Sequence, residues 1–313
     1  MKPVVRHGAA ALTALASLTL TACGSSDPFA ESSSTSTSAS DGQKVVIGTA
    51  NFPESEIIGQ IWAEALRKEG FTVEVASGIG SREVYLGALQ DGAVNVVPEY
   101  SGNLTQFLGE VPAGADQSGV EKALAESLPE GLETGAFSPA ESKDAYRVTR
   151  ELAERYGLST IADLNKLDRI TIAAPPEFAE RPYGPAGMTS VYGIDEGKIT
   201  VNPISDGGGP LTVQALVQGA ANVANIFTTS PTLLGDGTPA DLVILEDTKN
   251  LIPPQNVLPV IKAGSLPEGC LDVINEVNAK LTTEDLVKMN MRNVGSERAE
   301  PTEIAHDWAE RNV

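Results

Sequence analysis

The sequence predicts a two-lobed α/β protein in which two mixed sheets, each flanked by helices, face each other across a ligand cleft. Three observations lead there. First, Ala88–Asn103 (ALQDGAVNVVPEYSGN) and Ala215–Ser230 (ALVQGAANVANIFTTS) align without a gap, so that their Ala-Leu, Gly-Ala and Asn-Val pairs coincide and Tyr100 falls on Phe227. Each reads as the end of a helix, a Gly turn, a short apolar strand and an aromatic residue just past the strand. Second, a Gly-rich loop precedes each stretch, at Ser77–Ser81 and Ser205–Gly209, and a strand-like run precedes each loop, at Phe71–Ala76 and Ile199–Ile204. Third, about Lys44 to Val313 remains once processing and tether segments are set aside, enough for one large or two small domains with a sizeable core. Loops beyond the carboxyl ends of strands form the ligand crevice of open α/β sheets. Two such units facing each other would offer two aromatics to one cleft.

In chain order, residues 1–22 read as a lipoprotein signal peptide. Lys2 and Arg6 are its basic region, and Gly8–Leu20 is an apolar run too short to span a bilayer comfortably. It ends in Leu20-Thr21-Ala22-Cys23, which resembles the bacterial lipoprotein box, with Cys23 as the lipidated residue. Residues 23–43 are a Ser/Thr-rich tether that cannot bury enough apolar surface to fold. Lys44–Ile47 then reads as a strand. Asn51 and Glu54, with Pro53 between them, read as a capping box opening a helix. That helix would bury Ile57, Ile58, Ile61, Trp62, Ala65 and Leu66 and stop at Gly70. The loop at Ser77–Ser81 opens a second helix, whose free N–H groups could hold a carboxylate or polar group. It lacks the Lys-Ser/Thr of a P-loop, which disfavours a nucleotide. A helix is expected at Val120–Leu128, strands at Ile170–Ala173, Leu242–Leu245 and Asn256–Ile261, and a helical tail from Cys270 to Trp308. The Asn256–Ile261 strand is expected to return to the first lobe. Lobe 1 is therefore read as residues 44–145 and 249–313, and lobe 2 as 146–248.

Composition narrows the chemistry. The formal charge is −20, and loss of Lys2 and Arg6 with the leader makes it more negative. Such a chain is repelled by nucleic acid and by anionic headgroups. Cys270 is the one cysteine besides Cys23, so no intrachain disulfide is expected and Cys270 reads as a small apolar packing residue. Of two histidines, His7 leaves with the leader and His306 reads as a solvated helical residue. There is no HExxH, no paired His/Cys spacing and no GxSxG elbow. No catalytic residue, metal site or cofactor is expected, and the chain is read as a non-enzyme.

Most of the folded chain resembles the substrate-binding proteins of osmoprotectant ABC importers, the glycine betaine, choline and carnitine family. The resemblance is carried by IGTANF (47–52), GSREV (80–84), PEYSG (98–102), PEFAERPYG (176–184), LVILED (242–247) and the Pro-Pro followed by Pro-Val near 253–260. It implies a periplasmic-binding-protein-like fold that closes on its ligand, with a quaternary ammonium in an aromatic cage and often a carboxylate on an Arg. By position, Tyr100 and Tyr146 match cage tyrosines and Arg181 the carboxylate-binding Arg. Phe227 stands where Tyr is usual, and Asn103 where Thr is usual. Ala50 replaces the usual Lys of the first loop, and Gln255-Asn256 replaces a Tyr pair. At least one cage wall is therefore missing or polar, and Asn256 is counted as a ligand-binding candidate. The resulting expectation is an extracytoplasmic, monomeric lipoprotein, anchored to the cell membrane at Cys23, that delivers a glycine betaine-like osmoprotectant to an ABC permease. The alternatives are the same fold binding a polyol or amino acid, or a surface lipoprotein of structural or hydrolytic role.

Overall fold

The computed structural model describes residues 44–112 and 114–313. The leader, the Cys23 lipidation site and the tether lie outside the described residues. The elements in order are β1 (Val45–Gly48), α1 (Pro53–Lys68), β2 (Val73–Ala76), α2 (Arg82–Asp91), β3 (Val96–Tyr100), α3 (Ser101–Leu108), α4 (Gln117–Ser127) and β4 (Leu132–Thr134). They continue with β5 (Tyr146–Thr149), α5 (Arg150–Tyr156), β6 (Ile170–Ala174), α6 (Pro185–Tyr192), β7 (Ile199–Pro203), α7 (Pro210–Val217), β8 (Val223–Asn225) and β9 (Leu242–Ile244). The chain ends with β10 (Val257–Lys262), α8 (Cys270–Lys280), α9 (Thr283–Val294) and α10 (Pro301–Asn312).

These strands form two five-stranded mixed sheets of matching plan, ordered β2-β1-β3-β10-β4 and β7-β6-β8-β5-β9. In each, the first three strands run parallel and the fourth runs antiparallel to the third. The internal repeat explains the match. Asn95 and Asn222, which occupy equivalent places in the two aligned stretches, do the same work: Asn95 Oδ1 accepts from Val46 N and Asn222 Oδ1 from Thr171 N, both at 2.7 Å. Each Asn thus ties the start of its strand to the neighbouring parallel strand. The fourth strands come from elsewhere in the chain. β10, near the C-terminus, pairs with β3 and β4, while β5 pairs with β8 and β9.

The first sheet is covered by α1, whose apolar stripe Ile57, Ile58, Ile61, Trp62, Ala65 and Leu66 is buried. The C-terminal helices pack on α1 and complete this core. Trp62 Nε1 donates to Asn278 Oδ1 on α8 at 3.0 Å, which satisfies the one polar atom of that side chain. Cys270 is fully buried in the same core, and burial pushes its thiol up to about 11. The start of α1 corrects one expectation. Phe52, not Asn51, is the N-cap residue, and it makes no side-chain cap. Glu54 does not reach back to close a capping box. Its carboxylate turns inward to three other partners, and Ser55 Oγ instead accepts from Ala50 N. A tertiary demand for a buried acceptor has overridden the local cap. Among the described residues, no helix is long and apolar enough to cross a membrane, and no group of three or more His, Cys, Asp or Glu side chains could hold a metal ion.

Candidate functional site

A cavity of about 140 Å³ lies between the two sheets. Its walls come from the loops at strand ends: the β1–α1 loop (Ala50, Asn51, Phe52), the β2–α2 loop (Gly80, Ser81), the end of β3 (Tyr100), the turn after β6 (Pro175 to Phe178, with Arg181), the β7–α7 loop (Ser205, Gly207) and the residues after β8 (Phe227). This is where the repeat places its aromatics. Tyr100 and Phe227 both line the cavity, and Phe52 links them, with ring centroids 6.0 Å from Tyr100 and 5.5 Å from Phe227. Gly207 is required at its place. Its φ of 62° is in the left-handed region, and a Cβ there would stand 2.9 Å from Phe52 Cβ. A second ring pair, Phe178 and Tyr183, stands edge-on at 6.1 Å and lines the same space.

The polar residues of the wall fall into three networks. Arg82 donates to Glu99 through Nε (2.7 Å) and Nη2 (2.9 Å), and Tyr85 donates to the same carboxylate at 2.7 Å. This bidentate pair is buried. Burial is the largest single influence and would lower the Arg82 pKa, but the Glu99 charge and hydrogen bond, with Tyr85 and Tyr183 nearby, together outweigh it and raise the pKa. Tyr100 donates to Glu54 Oε1 at 2.7 Å, while Thr229 Oγ1 and Asn290 Nδ2 donate to Glu54 Oε2 at 2.5 Å. Glu54 therefore joins α1, the end of β3, the chain beyond β8 and α9 in one knot. Asp144, just before β5, accepts from Asn103 Nδ2 at 2.6 Å. Burial raises its pKa despite that hydrogen bond. Burial likewise pushes the Tyr85, Tyr100 and Tyr183 hydroxyls up, so they stay neutral donors.

Arg181 lies in the wall but is not free. Its Nη1 donates to Glu83 Oε1 at 2.7 Å, and its guanidinium sits 5.6 Å from the Phe107 ring centroid. Because Arg181 follows β6 and Glu83 lies on α2, this ion pair bridges the elements of the two sheets. Partial burial pushes the Glu83 carboxyl up, but the hydrogen bonds from Arg181 and Ser81 outweigh it and hold it down at about 2.

Of the residues singled out in the sequence, Tyr100, Asn103, Arg181 and Phe227 are brought together around the cavity. Tyr146 and Asn256 are placed elsewhere. Tyr146 is wholly buried in the second core, edge-on to Phe178, with its hydroxyl donating to the Tyr183 carbonyl oxygen. It backs the wall rather than forming it. Asn256 donates to the Ser138 carbonyl at 3.0 Å and receives no place on the cavity surface. Gln255 is fully buried and clamps the Asn103 amide and backbone, with Nε2 to Asn103 Oδ1 at 2.6 Å. Ala50, at the position of the missing Lys, does line the cavity. Sequence reasoning passed over Phe52, Glu54, Asp144 and Tyr183. Phe52 ends the IGTANF motif, Tyr183 lies within PEFAERPYG, Asp144 stands two residues before Tyr146 and Glu54 reads as a capping residue, so all four lie within or beside segments already singled out.

Two lobes whose strand-end loops enclose a ring-lined cavity define a cleft-type solute-binding protein. Residues 43–311 match the family described as the substrate binding domain of ABC-type glycine betaine transport system, and the chain belongs to that family. Among curated relatives it is 26% identical over 279 residues to the glycine-betaine-binding protein of Pseudomonas aeruginosa, covering 84% of this chain and 86% of that one. It is 27% identical over 278 residues to the carnitine transport binding protein OpuCC of Listeria monocytogenes, covering 85% and 86%. Among solved structures, a glycine betaine/carnitine/choline ABC transporter protein superposes with a TM-score of 0.63 at 24% identity, covering 85% of this chain and 98% of that one. The two-lobed fold and the extracytoplasmic, transport-linked class follow from this membership.

Proposed function

We propose that the cavity binds a quaternary-amine osmoprotectant of the glycine betaine, carnitine and choline class, for delivery to an ABC permease. The observation that carries this reading is the ring cluster Phe52, Tyr100 and Phe227, joined by Phe178 and Tyr183 around one small, mostly apolar cavity. A quaternary ammonium has no N–H to donate, so ring faces are the groups that hold it best, each desolvated contact contributing about 0.5–2 kcal/mol. Carboxylates among the rings suit a cation. The Leu20–Cys23 motif supports anchoring at Cys23 to the outer face of the cell membrane, with the tether giving the folded part reach. The protein acts as a monomer and catalyses no reaction. The residues proposed to touch the solute are Tyr100, Phe227 and Phe52, with Asn103 and Arg181 in the polar wall. Titration calorimetry against glycine betaine, carnitine, choline, a polyol and an amino acid tests the reading. Binding of at least one quaternary amine, weakened roughly 2- to 30-fold by Tyr100→Ala through loss of one full ring, is expected. Binding of the polyol or amino acid alone would refute it.

A further inference from the structure

The charges around the cavity are distributed unevenly. Its two guanidinium groups are both spoken for by carboxylates that do not line it: Arg82 by Glu99 and Arg181 by Glu83. Its two buried carboxylates are not balanced in that way. Asp144, 5% exposed, accepts from Asn103. Glu54, 4% exposed, is held by hydroxyls and an amide. Neither has an ion-pair partner among the described residues. A buried carboxylate without a cation is costly unless something supplies the opposite charge. A further group faces the same space: Asn225 Nδ2, on a side chain 3% exposed that lines the cavity, lies beside Asp144 and interacts with its carboxylate, but makes no hydrogen bond of normal geometry. Its NH2 carries two protons, so it can serve a solute oxygen as well as Asp144.

Resting on the proposed quaternary-amine reading, we infer that the preferred solute is a cation without a carboxylate, a choline-like amino alcohol, and that Asp144 is the residue that sets this preference. The ammonium charge on the rings is balanced by the Asp144 carboxylate. The solute hydroxyl gives its proton to a carboxylate and its oxygen accepts from Asn225 Nδ2. A zwitterion meets the opposite situation. Its carboxylate would enter beside Asp144 and Glu54, has no proton to donate, and finds Arg181 held by Glu83. It must break that pair to gain its counter-charge. The raised pKa of Asp144 agrees with a site that lacks a cation, since burial there outweighs the stabilising neighbours.

The test is calorimetry of the folded protein with choline and with glycine betaine, for the wild type and Asp144→Asn. The wild type is expected to bind choline at least tenfold more tightly. Asp144→Asn is expected to weaken choline roughly 30-fold, the loss of one buried charge pair, and to weaken glycine betaine far less, so that the preference narrows or reverses. Equal or tighter binding of glycine betaine by the wild type overturns the inference while leaving the quaternary-amine reading standing. So does an equal loss for both solutes in the variant. If the wild type binds no quaternary amine, the earlier reading has failed. If Asp144→Asn does not fold, the wild-type preference decides, and Glu83→Gln gives an independent arm. Freeing Arg181 should improve glycine betaine relative to choline, and an unchanged ratio counts against the inference.

Discussion

Replacing Glu54 with Leu keeps the bulk of the side chain and removes its acceptors. Three donors converge on that carboxylate, and their fates differ. Thr229 Oγ1 retains Ser142 Oγ at 2.7 Å, and Asn290 Nδ2 retains the Thr229 carbonyl at 3.3 Å. The Tyr100 hydroxyl has no second acceptor among the described residues and is left buried and unsatisfied. A hydrogen bond to a charged group contributes about 1.5–3 kcal/mol, and an orphaned buried donor costs about 1–3 kcal/mol. The expected loss is about 3–5 kcal/mol, a large share of the ~5–15 kcal/mol typical of a folded domain. Urea denaturation should show it as a lower midpoint with an unchanged slope. The sharper check is a double-mutant cycle. Tyr100→Phe should cost about 1.5–3 kcal/mol in the wild type, where it removes a bond to a carboxylate. In Glu54→Leu it should cost nothing or stabilise, because it deletes the orphan. A coupling of at least about 1 kcal/mol is therefore expected. Additive effects within about 0.5 kcal/mol would refute the reasoning that Glu54 holds the cage ring in place.

Three further outcomes are expected. The Glu83 carboxyl, held down to about 2 from an ordinary 4.5, contributes stability that is present above pH 4.5 and lost as pH falls through 2. Glu83 is half exposed, so the stability difference between wild type and Glu83→Gln should be below about 1 kcal/mol at pH 6. That difference should shrink on acidification, and one that grows would contradict the Arg181 pairing. Cys270 should resist alkylation by iodoacetamide at pH 8 in the native protein and react once denatured, because its thiol is buried and pushed up to about 11; rapid native labelling would contradict this. Metabolic labelling with a fatty-acid probe should mark the wild type and not Cys23→Ala, and a label that persists removes the anchor.

The fold was legible because its repeat is written in residues that do local work. The Gly turns and the Asn95/Asn222 pair mark strand starts, and apolar spacing marks α1. The cavity was legible where a ring follows a strand end, as at Tyr100 and Phe227. Elsewhere the sequence carried no sufficient signal. In so acidic a chain, nothing local separates Glu54 and Asp144 from solvated carboxylates; only burial does. Glu54 also mimicked a capping residue at the right spacing. Tyr146 misled for a related reason. It sits beside the cleft in sequence, yet the strand alternation of β5 sends its side chain into the core, where Phe178 covers it. Gln255-Asn256 looked like a polar cage wall, but the close approach of α3 to this segment at Gly102, where a Cβ would meet the Pro254 carbonyl oxygen at 2.4 Å, turns both side chains towards backbone and amide partners.

The late arrival of β10 in the first sheet has a consequence for how the chain can be made. β10 occupies the place between β3 and β4, so the first sheet stays split in two until residue 262 has been synthesised. A nascent chain that already contains β1, β2 and β3 still exposes the inner edge of β3, and α1 still waits for the C-terminal helices that cover its stripe. Such long-range closure slows folding relative to a fold of local contacts. The first sheet therefore stays open through most of the chain's synthesis, while the second, contiguous in sequence, does not depend on β10. A chain truncated before Val257 should stay protease-sensitive in residues 44–145, whereas β5 to β9 are all in place by Ile244.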